Sequence, residues 1–154
     1  MVNKFSARFC FCAVLIIVSL AFAACGSGGR KYQVGQIFQP AANHSSWSKI
    51  NPQPKLSRAH GKYVTVYANE SASQVKLHGG SYRPGDVIVK ETFSDPNNPA
   101  AVEQVFAMEK GAPGSAPRSN DWIWIVTDPK GKIIASGEDA ALSGRRCAMC
   151  HAGS

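Results

Sequence analysis

The residues best equipped for chemistry stand close to the C-terminus: Cys147-Ala148-Met149-Cys150-His151. Two thiols three positions apart, followed at once by an imidazole, form C-x-x-C-H, the attachment signature of a c-type haem. The spacing lets both sulfurs reach the two vinyl groups of a haem. The neutral imidazole of His151 can then bind the iron from the same face. Three other chemistries use similar residues. A thioredoxin-like redox pair needs a strand before it and a helix after it, and only Ala152-Gly153-Ser154 follow here. A zinc centre takes four ligands, usually as two pairs, and the chain has no second Cys or His pair. A plain disulfide leaves His151 without a role. The motif therefore predicts one covalent haem c, held by Cys147 and Cys150, with His151 as proximal iron ligand.

Haem c is attached outside the cytoplasm, and the opposite end of the chain carries an export pattern. Lys4 and Arg8 precede an almost unbroken apolar run from Phe9 to Leu20, and small residues follow at Ala21, Ala23 and Ala24. That is the layout of a signal peptide over residues 1–24, and the run is short for a membrane span. Two cleavage patterns overlap. Ala21-Phe22-Ala23 fits an A-x-A site, whereas Phe22-Ala23-Ala24-Cys25 resembles a bacterial lipobox with Cys25 as the lipidated first residue. Cys10 and Cys12 leave with the signal, so lipidation also accounts for an otherwise orphan Cys25. The expected location is the periplasm or the outer side of a bacterial membrane, with contact to the membrane through a lipid anchor only.

At 154 residues the chain suits one folded domain. It has 17 basic and 10 acidic residues, yet no run of Lys and Arg interleaved with aromatics, so a nucleic-acid partner is not expected. The positive surplus instead suits a bound anion or an acidic partner. A Gly-rich stretch from Gly26 reads as a tether over 25–46, leaving 47–154 as the haem domain.

Along that domain, 63–67 and 87–93 are β-branched and apolar and read as strands. Asn69 is placed to cap a short helix that Gly79-Gly80 would stop. Residues 104–109 read as a strand. Residues 122–126 and 132–135 flank Asp128-Pro129-Lys130-Gly131, a hairpin signature. Residues 138–144 read as one or two helical turns. The fold class expected is α+β, β-rich, an antiparallel sheet with a few short helices and a C-terminal haem motif.

On the strand over 87–93, Ile88, Lys90 and Thr92 share one face, and Val87, Val89 and Glu91 the other. A Lys90 turned towards a haem would need burial and a neutral amine; on a solvated face it is an ordinary lysine. Met108 is the residue to consider as a sixth ligand, although Met beside Val105, Phe106 and Ala107 also reads as core. Met149 is poorly placed to reach the far side of its own haem. His60 reads as a surface histidine before a glycine or as a residue nearing the distal pocket. His44 and His78 read as loop and helix-end residues. Trp122 and Trp124 alternate with Ile123, so one face of that strand is core and the other meets haem or a partner subunit. Glu91 and Glu103 are the acids to consider as distal proton acceptors.

From about Trp47 to His151 the chain resembles the cytochrome P-460 family, which includes the NO-binding cytochromes c′-beta. The resemblance rests on Ala59-His60-Gly61-Lys62-Tyr63, Val66-Tyr67-Ala68-Asn69, the run from Tyr82-Arg83-Pro84-Gly85-Asp86 to Lys90-Glu91, Asn120-Asp121-Trp122-Ile123-Trp124 and the haem motif, in that order. It implies an antiparallel sheet with a few helices, commonly in a homodimer. Members similar to the name-giving protein oxidise hydroxylamine and carry a lysine joined to the haem ring, and Lys90 occupies that place. The resemblance thus implies an oxidoreductase with a five-coordinate haem, acting on small nitrogen compounds and passing electrons to a periplasmic acceptor. Its alternative is a non-enzymatic haemoprotein that binds NO or transfers electrons, as in the c′-beta type. Family members often continue past the haem motif; this chain has three residues there, so a distal group from such a tail is not expected.

Overall fold

The computed structural model describes residues 32–151. Residues 1–24, read above as an export signal, Cys25 and residues 152–154 lie outside the described residues. Nine strands run through the domain: β1 Ser48–Lys49, β2 Lys55–Ser57, β3 Lys62–Ala68, β4 Val87–Phe93, β5 Gln104–Lys110, β6 Trp122–Thr127, β7 Ile133–Gly137, β8 Ala141–Leu142 and β9 Arg145–Arg146. Three short α-helices join them: α1 Gln39–Asn43, α2 Glu70–His78 and α3 Ala148–His151. The main sheet is antiparallel in the order β1-β3-β4-β5-β6-β7, with β2 also on β3; β8 and β9 form a separate hairpin. This is the expected α+β, β-rich class, and the strands over 63–67, 87–93, 104–109 and 122–126 stand where the sequence placed them.

Strand alternation divides the sheet into two working faces. Val87 and Val89 of β4, Val105 and Ala107 of β5, and Ile123 and Ile125 of β6 meet Phe38 and Ala41 beneath the N-terminal segment. Each large side chain buried there stabilises the fold by about 2 kcal/mol. The other face carries Ile88, Met108 and Trp124, and the C-terminal residues Cys147 and Ala148 pack against it. All six residues of β6 are buried, which is why it reads as a continuous apolar run instead of an alternating one.

The phase of β4 decides which residues face which side, and two side chains fix it. Asn69 caps α2 by accepting from Ala72 N and also accepts from Val87 N, each at 3.2 Å, while its amide donates to Gly85 O. Buried Asp86 closes the preceding turn by accepting from Arg83 N at 2.8 Å. A slip of one residue at this turn would send Lys90 to the opposite face. Asn51 does similar service at the gap between β1 and β2: it accepts from Val66 N and donates to Val64 O, replacing a missing partner strand on β3.

Three expectations are corrected. The tether over 25–46 does not hold for its described part, since residues 32–46 carry α1 and a 3-10 turn over His44–Ser46, with Phe38 and Ala41 almost wholly buried. Composition reads Gly and Ser as slack, but Phe38 supplies an apolar anchor that the core takes up. Residues 138–144 are not helical. Ser143 and Gly144 both have positive φ, 52° and 76°, the two-residue turn that closes a hairpin between β8 and β9 and that an α-helix excludes. His44 is not a loop residue in water but is 6% exposed beneath the sheet.

Candidate haem site

The C-x-x-C-H residues are delivered by the β8–β9 hairpin. Cys147 N donates to Ala140 O at 3.0 Å, which sets the end of the hairpin against the end of β7. The chain then turns into α3, and Cys147 just before it, with Cys150 and His151 within it, stand at i, i+3 and i+4 and so share one face of the helical turn. That face closes one side of a cavity of about 640 Å3. Its opposite wall is the second face of the sheet, with Ile88 and Lys90 from β4, Phe106 and Met108 from β5, and Trp124 from β6. The His151 and Trp124 rings lie 5.1 Å apart.

Lys90 points into this cavity and is largely buried. Loss of water lowers the pKa of its amine, against a smaller opposing effect of the Cys147 thiol. Burial likewise pushes the Cys147 thiol up and the His151 imidazole down, the latter helped by the charge of Lys90. A neutral imidazole is the form that binds iron. The sheet's β-turn neighbour His60 completes the group: its Nε2 lies 3.4 Å from Lys90 Nζ and its ring 4.6 Å from that of Phe106. Burial, then Lys90, then His151 lower its pKa to about 4.

The remaining candidates divide between the two faces. Glu91 lies on the far side of β4, where His44 Nε2 meets its Oε1 at 2.8 Å and His44 Nδ1 meets Ala41 O at 2.8 Å. It therefore does not face the cavity, and its reading as a distal acceptor is withdrawn on that ground. Glu103 lines the cavity mouth but is engaged by Lys62 at 2.8 Å and by Ser94. Met108 lines the wall beside Trp124, its direct partner in the β5–β6 register. Met149 is 78% exposed, and His78 sits at the exposed end of α2. Trp122 packs edge-on against Tyr82, away from the cavity, while Ile123 faces the core.

Sequence reasoning undervalued His60 and gave Lys62 no part in the site; Arg145-Arg146, the one tight pair in the basic surplus expected to suit a bound anion or an acidic partner, stands on the cavity rim. A signal existed for two of them: counting back by twos from Val66 along β3 reaches Lys62 and then His60, in phase with the cavity face.

A family model for cytochrome P-460 matches residues 41–154. The chain belongs to the cytochrome P-460 family. No curated protein gives a significant match to it. Membership makes this a haem protein, and the residues present fit that group. The cytochrome P-460 cavity is of a size usual for cofactor sites. Its wall is apolar and aromatic, and Trp124 Nε1 is buried with no hydrogen-bond partner among the described residues. Its rim carries Lys62, Arg145 and Arg146 against the single carboxylate Glu103, a positive surplus that complements the two carboxylates of a haem.

Proposed function

We propose that this protein is an exported haem c protein of the hydroxylamine-oxidising kind, with Lys90 joined to the haem ring. One observation carries the reading: the Lys90 amine, part-buried and with its pKa lowered by loss of water, shares a cavity with the C-x-x-C-H residues. Joining this nitrogen to a ring carbon needs its lone pair, which a lowered pKa makes more available; the bond would replace a ring C–H, with the two protons and two electrons released taken up by a two-electron oxidant from outside the protein.

Cys147 and Cys150 would hold the single haem by thioether bonds, and His151 would bind its iron. Bound there, the haem supplies an iron with one open position and a route for electrons out of a small nitrogen compound such as hydroxylamine. The chain's own part is to keep His151 neutral, to exclude water with Ile88, Phe106, Met108 and Trp124, and to present Lys90 at a fixed place. Met108, on the cavity wall, is the residue to test if a sixth ligand is found. Proteolysis and peptide mass test the assignment. The Lys90 peptide should carry haem mass, and Lys90→Ala should abolish hydroxylamine-dependent reduction of an electron acceptor while NO still binds.

The second reading is a non-enzymatic haemoprotein that binds NO or transfers electrons. It is favoured by the acid-poor wall: Glu91 lies on the far face and Glu103 is paired with Lys62, so neither stands ready to take a proton from a substrate. A Lys90 peptide free of haem would establish this reading in place of the first.

Export and anchoring belong to the same proposal. The pattern over 1–24 and the lipobox-like Cys25 support a periplasmic or membrane-outer location, with an acidic redox partner and a second copy of the chain as expected associates.

A further inference from the structure

Two basic groups rarely meet at hydrogen-bonding range, and His60 and Lys90 do so inside the cavity. A lysine amine in its charged form has donors and no acceptor, and a charged imidazole also has only donors. With Lys90 charged, the contact of 3.4 Å between its Nζ and His60 Nε2 needs a bare Nε2, with the ring proton on Nδ1; with Lys90 neutral, the same tautomer leaves the amine lone pair free towards the cavity. We infer that His60 is a positioning residue: its Nε2 accepts an N–H of Lys90 and holds that amine at a fixed point on the cavity wall.

The ring is built to do this. His60 and Gly61 both donate their backbone N–H to Ser57 O, at 3.1 and 2.8 Å, and Gly61 takes φ +61°, so the β2–β3 turn is closed tightly. The imidazole then tilts against Phe106, which is the direct partner of Lys90 in the β4–β5 register. Phe106 thus stands beside Lys90 on the sheet and beneath His60, and the three side chains brace one another. Glu91 is on the other face, Glu103 is taken by Lys62 and Ser94, and among the described residues no carboxylate forms an ion pair with Lys90. The low pKa of His60 agrees, since an imidazole that stays neutral well below neutrality remains an acceptor across the working range.

The inference deepens the proposed role of Lys90, yet the hydrogen bond does not depend on the cross-link, because a lysine nitrogen bonded to the ring still keeps one N–H. The experiment uses the full-length haem-loaded protein and two readouts. The first is the share of Lys90 peptide that carries haem. His60→Ala should lower it about ten-fold, the worth of one hydrogen bond, while thioether attachment and NO binding stay at wild-type level. His60→Gln, which restores an acceptor oxygen, should recover most of the loss. The second readout is nitrogen NMR of the His60 ring in the diamagnetic carbon-monoxide-bound ferrous protein. It should show Nδ1 protonated and Nε2 bare, with the Nε2 shift moving in Lys90→Met. Wild-type Lys90 peptide without haem, together with that NMR pattern, would defeat the cross-link and leave the positioning bond standing. A protonated Nε2, a shift indifferent to Lys90→Met, or full cross-linking in His60→Ala would overturn the inference.

Discussion

Lys90 and Glu91 are neighbours in sequence and serve opposite faces of the sheet. Lys90 enters the cavity beside the haem motif, while Glu91 passes through to the core side and binds His44 at 2.8 Å. One strand thereby joins the site to the segment that braces it from behind. The His44 ring also lies 4.8 Å from that of Tyr67, and its second nitrogen meets Ala41 O, so it pins the end of α1 beneath β3 and β4.

That pin should be a stability element. His44→Ala removes this contact and leaves the part-buried Glu91 carboxylate only its hydrogen bond with Tyr67 among the described residues, and the cost should be about 2 kcal/mol. Denaturant unfolding of the haem-loaded protein measures it. The optical spectrum should not move, because Glu91 does not face the cavity; a shifted spectrum would mean the pair communicates with the haem.

Asn69→Ala should cost a similar amount, about 1 kcal/mol for the helix cap and as much again for the bond to Val87 N. Asn69→Asp, which keeps an acceptor oxygen, should recover part of it. Equal losses in both variants would show that the capping bonds are not the cause.

Acid should destabilise the fold through His60. Its folded pKa of about 4 lies below its ordinary 6.5, so the unfolded chain binds more protons between those values. Stability is complete above about pH 6.5 and is lost progressively as pH falls towards 4. His60→Gln removes the titrating group, and its melting temperature should fall less steeply than that of wild type across this window. Parallel profiles would remove His60 as the cause.

Cys147→Ala with Cys150→Ala should release haem to acid-acetone extraction, whereas wild-type protein should retain one haem after denaturation. Freely extracted wild-type haem would contradict covalent attachment.

Cys25→Ala should free the protein from the membrane fraction or block its maturation. A soluble wild-type protein that begins at Ala24 would instead assign cleavage to the Ala21-Phe22-Ala23 site.

Much of this was legible in the chain. The placing of Cys147, Cys150 and His151 on one face follows from their spacing alone, because an i, i+3, i+4 set shares a face wherever a helical turn forms. The strands over 87–93 and 122–126, the Asn69 cap and the hairpin at Asp128 are local: steric preference, capping geometry and turn chemistry act over a few residues. The alternation of β4 also separated Lys90 from Glu91. What alternation cannot say is which face is covered by the chain and which is left hollow. That was decided by Phe38 and Ala41 closing over one side of the sheet and by the β8–β9 hairpin carrying Cys147 to the other. The burial of His44 and the approach of His60 to Lys90 depend on residues 47 and 30 positions apart meeting in space. Such meetings are set by strand register and packing, where the free energy of a whole core outweighs the local preference of any one segment.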